Sequence, residues 1–132
     1  MSDATTGIAT AASLAEQVRD LSSDEDRLRC CVGWFTEVGA IDDPVVASSL
    51  VADLPPSTGD RRFDALIGGL VEHLGCLGAL SVPAWVHDGD RFLEVFWFPV
   101  DLPSLRVTGL RDAPAALARR CVFLDRRELA RV

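Results

Sequence analysis

The 132-residue chain contains no lysine, no asparagine and no tyrosine, and it has one methionine and two histidines. All thirteen basic residues are therefore arginine, and twenty acidic residues leave a net charge of −7. Arginine and alanine in place of lysine and asparagine are the codon bias of a GC-rich genome, a statement about source rather than function. Two histidines leave little material for proton-transfer chemistry near neutral pH. No Walker loop, GxGxxG, GxSxG or HExxH pattern occurs, so the common phosphate, dinucleotide, acyl-transfer and zinc-protease signatures are missing. The reading is a non-catalytic chain without a cofactor. The first residues, MSDATTGIATAASLAEQ, have neither a basic stretch nor a long apolar one and do not read as a signal peptide. The most apolar run, residues 65–85, is broken by Glu72, His73 and Pro83, which reads as a core helix and a turn rather than a membrane span. Without an export signal, Cys30, Cys31, Cys76 and Cys121 are expected as reduced thiols in a cytoplasmic protein.

What is present is ordinary globular material: 48% hydrophobic and 25% charged residues, enough for one domain with its own core. The charge is uneven. Residues 1–60 hold eleven acids against Arg19, Arg27 and Arg29, a net of −8, whereas residues 103–132 carry seven arginines and a net of +4. An acidic chain repels phosphate backbones, so nucleic-acid binding is disfavoured outside the C-terminal segment.

Apolar spacing predicts an all-α or mainly α single domain over 1–132, with residues 1–6 frayed, longer helices over 7–80 and short elements over 81–132. A first helix is expected from Gly7 to Leu21, and a second opens at Ser23, with Asp26 three residues on as in a capping box, and ends at Gly39. Asp43-Pro44 opens a third, ending near Leu54, and Pro55 to Gly59 reads as an exposed turn. Asp60 caps the longest helix, with Phe63, Leu66, Ile67, Leu70, Val71 and Leu74 as its apolar stripe. Gly68 and Gly69 inside it suggest close approach of another backbone. Beyond Pro83 the expectation is a helix over 91–97 capped by Asp88 or Asp90, one over 105–110 opened by Asp101 and Pro103, and one through Arg120 opened by Asp112 and Pro114. Cys121 to Leu124 reads as a strand or buried extended segment, and Asp125 caps a last turn from Arg126 to Val132.

The chemistry-bearing residues weigh against catalysis. His73 and Cys76 share a helix face, but no second close pair completes a zinc site, and Cys30 and Cys31, adjacent on a helix, point apart. His87 beside Asp88 has the elements of an oriented general base, and Asp42-Asp43 and Asp88/Asp90 those of a cation site; helix capping explains each more simply. The aromatic cluster Trp85, Phe92, Phe96, Trp97 and Phe98 is the most unusual feature. One short helix cannot easily bury all of it in a small domain: either Trp85, Phe92 and Phe96 join the core and the others cover its edge, or some of the aromatics are exposed and anchor a protein partner. The candidate partner-binding residues are Trp85, Phe92, Trp97, Phe98, Arg106, Arg111, Arg119 and Arg120. A second reading is a small enzyme or ligand-binding domain with an aromatic-lined pocket near Trp85, His87 and Asp88. A third is a nucleic-acid-associated regulator using Arg119 and Arg120.

The segments Pro83-Ala84-Trp85, Arg91-Phe92-Leu93, Phe96-Trp97-Phe98-Pro99, Pro103-Ser104-Leu105-Arg106, Pro114-Ala115-Ala116 and Arg119 to Leu129, together with residues 57–66, carry a resemblance over about 55–132. They resemble small actinobacterial proteins with a PAW…RFL…WF…PSLR…PAA…RR…F…DL pattern, members of which neighbour nucleotidyltransferase-like genes or are fused to a helix-turn-helix domain. The resemblance implies an antitoxin whose partner is a toxin encoded by an adjacent gene. This chain has no appended helix-turn-helix, so DNA binding is not implied, and it has Cys121 where the pattern has glycine and Leu117 where it has phenylalanine.

Overall fold

A computed structural model describes residues 7–130. Residues 1–6, expected to be frayed, and residues 131–132 lie outside that range. The described residues form seven α-helices: α1 (Ala11–Asp20), α2 (Asp24–Gly39), α3 (Pro44–Val51), α4 (Arg61–Cys76), α5 (Pro103–Asp112), α6 (Ala115–Ala118) and α7 (Arg126–Leu129). Two 3-10 turns, Ala84–His87 and Gly89–Arg91, lie between α4 and α5. Among the described residues there is no strand; the single β-bridge pairs Trp97 with Val122 in parallel. The class is all-α.

The first half follows its capping chemistry. Ser23 Oγ accepts the Asp26 N–H at 3.1 Å, Asp43 Oδ1 the Val45 N–H at 3.0 Å, and Asp60 Oδ1 the Arg62 N–H at 2.9 Å. The first helix begins at Ala11 rather than Gly7, because Thr10 Oγ1 takes the Ser13 N–H and Gly7 adopts a positive φ of 65°. Helix α3 ends at Val51, short of Leu54. The Pro55–Gly59 turn is tied inward rather than left in solvent. The buried carboxylate of Asp64 accepts the Thr58 N–H and hydroxyl, each at 2.8 Å, and the Ser57 hydroxyl at 2.7 Å.

Helix α4 is the axis of the core. Phe63, Leu66, Ile67, Leu70, Val71 and Leu74 are fully buried, and α2, α6 and both 3-10 turns pack around it. Each such large side chain contributes about 1.5–3 kcal/mol over its exposed state. The glycine pair is crowded by side chains, not by another backbone as expected. A Cβ at Gly68 would lie 3.3 Å from Arg91 Cβ, and one at Gly69 would lie 2.4 Å from a Leu117 methyl.

The second half departs from its helical expectation. Residues 91–97 do not form a helix. Asp88 precedes only a 3-10 turn and its carboxylate caps nothing, and after that turn Phe92 is already extended, with φ −128° and ψ 134°. The backbone groups that a helix would use bond to the 120–123 segment instead. Leu93 N–H donates to Arg120 O, Trp97 N–H to Cys121 O, and Phe123 N–H to Trp97 O. The bridge holds Val122, which is buried with Leu124 while Phe123 is half-buried; Cys121, expected as part of an extended segment, is instead a left-handed turn residue at φ 64°. The two Asp-x-Pro motifs are not N-caps either. Helices α5 and α6 begin after Leu102 and Pro114 with no side-chain cap. Asp101 binds Arg106 and Asp112 binds Arg111 and Arg127, because an arginine within reach outcompetes a backbone N–H for the carboxylate. Helix α5 runs further than expected and α6 stops at Ala118. Asp125 does cap α7, accepting the Arg127 N–H at 2.9 Å.

Two arginines join the halves. Arg120 has no solvent exposure and Arg91 only 4%. Arg91 donates to Asp64 O at 3.2 Å and Pro55 O at 3.1 Å and lies over the Trp85 ring at 4.9 Å. Arg120 donates to Ala116 O at 2.8 Å, Val86 O at 2.6 Å and the Glu72 carboxylate, and lies 4.3 Å over the Phe92 ring. Burial pushes the Arg120 pKa down, and Glu72 opposes that shift.

Candidate interaction surface

The path of the chain after Phe92 decides which aromatics are buried. Leu93 and Trp97 are pinned to the 120–123 segment, and the chain bends outward between them, leaving Glu94, Val95 and Phe96 exposed and Trp97 and Phe98 half-buried. Trp97 turns onto the core, edge-on to Phe63 with centroids 5.1 Å apart, and Arg62 lies 5.3 Å over its indole. Arg62 is itself held by Asp24 at 3.0 Å and Asp60 at 2.6 Å, and that pairing holds the Asp60 carboxyl below the usual carboxylate range. Phe96 and Phe98 go the other way and flank Phe123, with centroid distances of 4.8 and 5.7 Å. Arg106 covers Phe98 at 5.2 Å and bonds Asp101 at 2.6 Å. Phe96 remains 63% exposed, and Val95 beside it is also in solvent.

Helix α5 extends this shelf. It seats Gly109 directly on the Phe123 backbone, where a Cβ would meet the carbonyl oxygen at 2.7 Å. The opposite face carries Pro103, Val107 and Leu110 at i, i+4 and i+7. Val107 is 62% and Leu110 51% exposed, and Leu102 at the helix start is exposed as well. Helix α5 is thus apolar on two faces, and only one is covered by the chain. A depression of about 310 Å3 lies between the shelf and α2, bounded by Asp24, Arg62, Phe96, Phe98 and Arg106.

The sequence-predicted residues separate into three groups. Trp97, Phe98, Arg106 and Arg111 lie in or beside the shelf region, half-buried or exposed. Phe92 is half-buried under Arg119 and Arg120, and Arg119 is exposed, 3.4 Å from Glu72. Trp85 and Arg120 are corrections. Trp85 is interior, its indole N–H donating to Val51 O at 2.8 Å, and Arg120 is enclosed, so neither offers a partner a side-chain surface. Sequence reasoning missed Val95, Phe96, Leu102, Val107 and Leu110; the 103/107/110 spacing was the available signal.

The pocket expected near Trp85, His87 and Asp88 is not assembled by these residues. With Trp85 inside, His87 faces solvent, and its Nδ1 lies 3.3 Å from Arg119 Nη2 rather than against Asp88. A guanidinium only donates, so the contact requires Nδ1 as acceptor and the proton on Nε2. His73 stacks flat on Phe35 at 5.7 Å, and Cys76 is exposed. Among the described residues no three His, Cys, Asp or Glu side chains converge as a metal group, and no helix is long and apolar enough to cross a membrane. Within the basic C-terminal segment, Arg106, Arg111, Arg119, Arg120 and Arg127 each contact a carboxylate, and Arg126 donates to the Asp112 carbonyl. No protein-family profile, curated protein or solved structure matches the chain.

Proposed function

We propose that this chain is a non-catalytic binding protein whose partner docks on the shelf formed by Phe96, Phe98, Phe123 and the outer face of α5. The observation that carries this reading is the exposed apolar row Val95, Phe96, Leu102, Val107 and Leu110, all within sixteen consecutive residues. Exposed aromatic and aliphatic side chains beside arginines match the composition of an interface core. The resemblance noted above makes the specific partner a nucleotidyltransferase-like toxin encoded beside this chain, with this protein as its cytoplasmic antitoxin. An acidic body presenting an apolar shelf suits a basic RNA-acting enzyme through charge and shape.

The test is co-expression with the products of the two flanking genes, read by retention on the tagged chain and by growth. One neighbour should be toxic alone, be retained, and be neutralised. Phe96→Asp combined with Leu110→Asp should abolish retention while leaving a cooperative circular dichroism melt lowered only by the lost Phe96–Phe123 contact, since both side chains are more than half exposed. Retention undiminished by the double variant would remove the shelf from the interface, and two harmless, unretained neighbours would remove the antitoxin reading.

A further inference from the structure

A second hollow adjoins the shelf on its α2 side and shares Pro99 and Asp101 with the depression described above. Its volume is about 580 Å3. One wall is a stripe of α2, Glu25, Leu28, Arg29, Val32 and Gly33, at i, i+3, i+4, i+7 and i+8. The other is made by Pro99–Asp101 with Leu124. Helix α2 buries Cys31, Trp34, Phe35 and Val38 in the core, and Leu28 and Val32 form the edge of that apolar face, packed against the core but left partly open. From Glu25 to Gly33 this stripe runs about 12 Å, two turns of helix.

The lining holds three acids, Glu25, Asp101 and Glu128, against one cation, Arg29, and Asp101 is also bonded to Arg106 at 2.6 Å. The first turn of α2 is Asp24-Glu25-Asp26, and Asp101 stands across the hollow from it. Arg29, the one cation in the lining, is already bonded to Asp26 at 3.0 Å and Glu25 at 3.4 Å. Gly33 opens the floor: a Cβ there would find no atom within 4 Å.

We propose that this groove takes a basic amphipathic helical segment of a protein partner, its apolar side chains on Leu28, Val32 and Val100 and its arginines or lysines at the acidic mouth. The inference deepens the partner-binding reading, on which it rests, because the groove and the shelf form one continuous surface. It adds the chemistry of the segment that binds: apolar and cationic on a helical repeat.

The probe is a fluorescein-labelled helical peptide of leucine and arginine, about four turns long, with a leucine–glutamate peptide of the same pattern as control, titrated against the full chain by fluorescence polarisation. The arginine peptide should bind at least about tenfold more tightly than its control. Gly33→Leu fills the groove without strain and should weaken binding about tenfold, while Gly33→Ala should stay within about threefold of the parent. Glu25→Arg, at a side chain that is 83% exposed, should weaken binding as well. A parent no tighter for the arginine peptide than for its control, or Gly33→Leu and Glu25→Arg both binding that peptide like the parent, would reduce the attraction to bulk charge and overturn the proposal. The two readings fail separately. A flanking gene product retained equally by the parent and by Gly33→Leu keeps the shelf and removes the groove. Loss of the peptide to Gly33→Leu with no neighbour retained keeps the groove and removes the toxin.

Discussion

Glu72→Ala tests the joint that holds the two halves together. The substitution leaves Arg120 charged, fully enclosed, and bonded only to the Ala116 and Val86 carbonyls; its Nε already lacks a partner. Removing one member of a buried ion pair costs about 3–5 kcal/mol, because the remaining charge keeps its desolvation penalty and loses its compensation. Glu72 is 15% exposed, so water can enter where its carboxylate was, and the lower end of that range applies. Arg119, half exposed, turns to solvent and adds at most about 1 kcal/mol. The expected loss is therefore about 3 kcal/mol, out of the roughly 5–15 kcal/mol typical of a domain. Urea unfolding followed through Trp34, Trp85 and Trp97 reads this directly, and with a slope of about 2 kcal/mol per molar the midpoint falls by about 1.5 M. The sharper check is the sign of the second step. Adding Arg120→Met to Glu72→Ala removes the stranded charge and should restore about 1 kcal/mol or more. A loss under about 1 kcal/mol for Glu72→Ala, or a double variant weaker than the single one, would refute the account of Arg120 as a charge held by Glu72.

Three further outcomes follow from local geometry. Cys121 is a left-handed residue at φ 64° just past α6, with the Val122 N–H reaching back to Leu117 O, so Cys121→Gly should raise stability by about 1 kcal/mol while Cys121→Ala brings no gain, as thermal melts would show. Gly109→Ala drives a methyl into the Phe123 carbonyl and should cost about 2 kcal/mol, despite the better helix former, lowering the melting temperature by several degrees. Burial, and secondarily the charge of Arg126, holds the His73 pKa below its ordinary 6.5. The unfolded chain thus takes up a proton that the folded one resists, and stability is lost as pH falls below about 6.5. His73→Phe, which keeps the stack on Phe35, should flatten that part of the pH profile; an unchanged slope would show that other groups set it.

The helices of the first half were legible because their signals are local. Asp43-Pro44, Asp60 and Ser23 each cap within three residues of themselves, and the α4 stripe needs only the 3.6 period. From Asp88 onward the backbone pairings that decide the path of the chain span 24 to 27 residues. Phe92 to Trp97 has the composition of a helix or a strand, and what settles it is the hydrogen bonding of Leu93 and Trp97 to the chain around Cys121. Asp101 and Asp112 look like caps until Arg106, Arg111 and Arg127 come within reach. The burial of Arg120 could not be read from its neighbours at all, since Arg119 beside it is exposed. Part of the candidate surface was visible as an excess of aromatics, but a helix over 91–97 pairs Phe96 with Phe92, whereas the observed chain sets Phe96 and Phe98 against Phe123.

The same long-range contacts explain why a short-element, loop-rich segment can serve as a binding face. Residues 81–130 contain little regular structure to hold them in place. Arg91 and Arg120 act instead as pegs driven past Gly68 and Gly69, each gripping two backbone carbonyls from parts of the chain far apart in sequence. A guanidinium suits this role because its planar fork reaches two carbonyls at once while its face lies on Trp85 or Phe92. Lysine, which the chain lacks, offers a single nitrogen at the end of its stem and no such face. With the pegs in place, Arg120 fixes the backbone from which Leu93 and Trp97 hang, and that in turn sets Phe96 and Phe98 on either side of Phe123. The shelf is therefore ordered before any partner arrives, which lowers the entropy lost on docking. In the proposed binding role, the core arginines would act without touching the partner, and their loss would weaken docking through misplacement of Phe96 rather than through a missing contact.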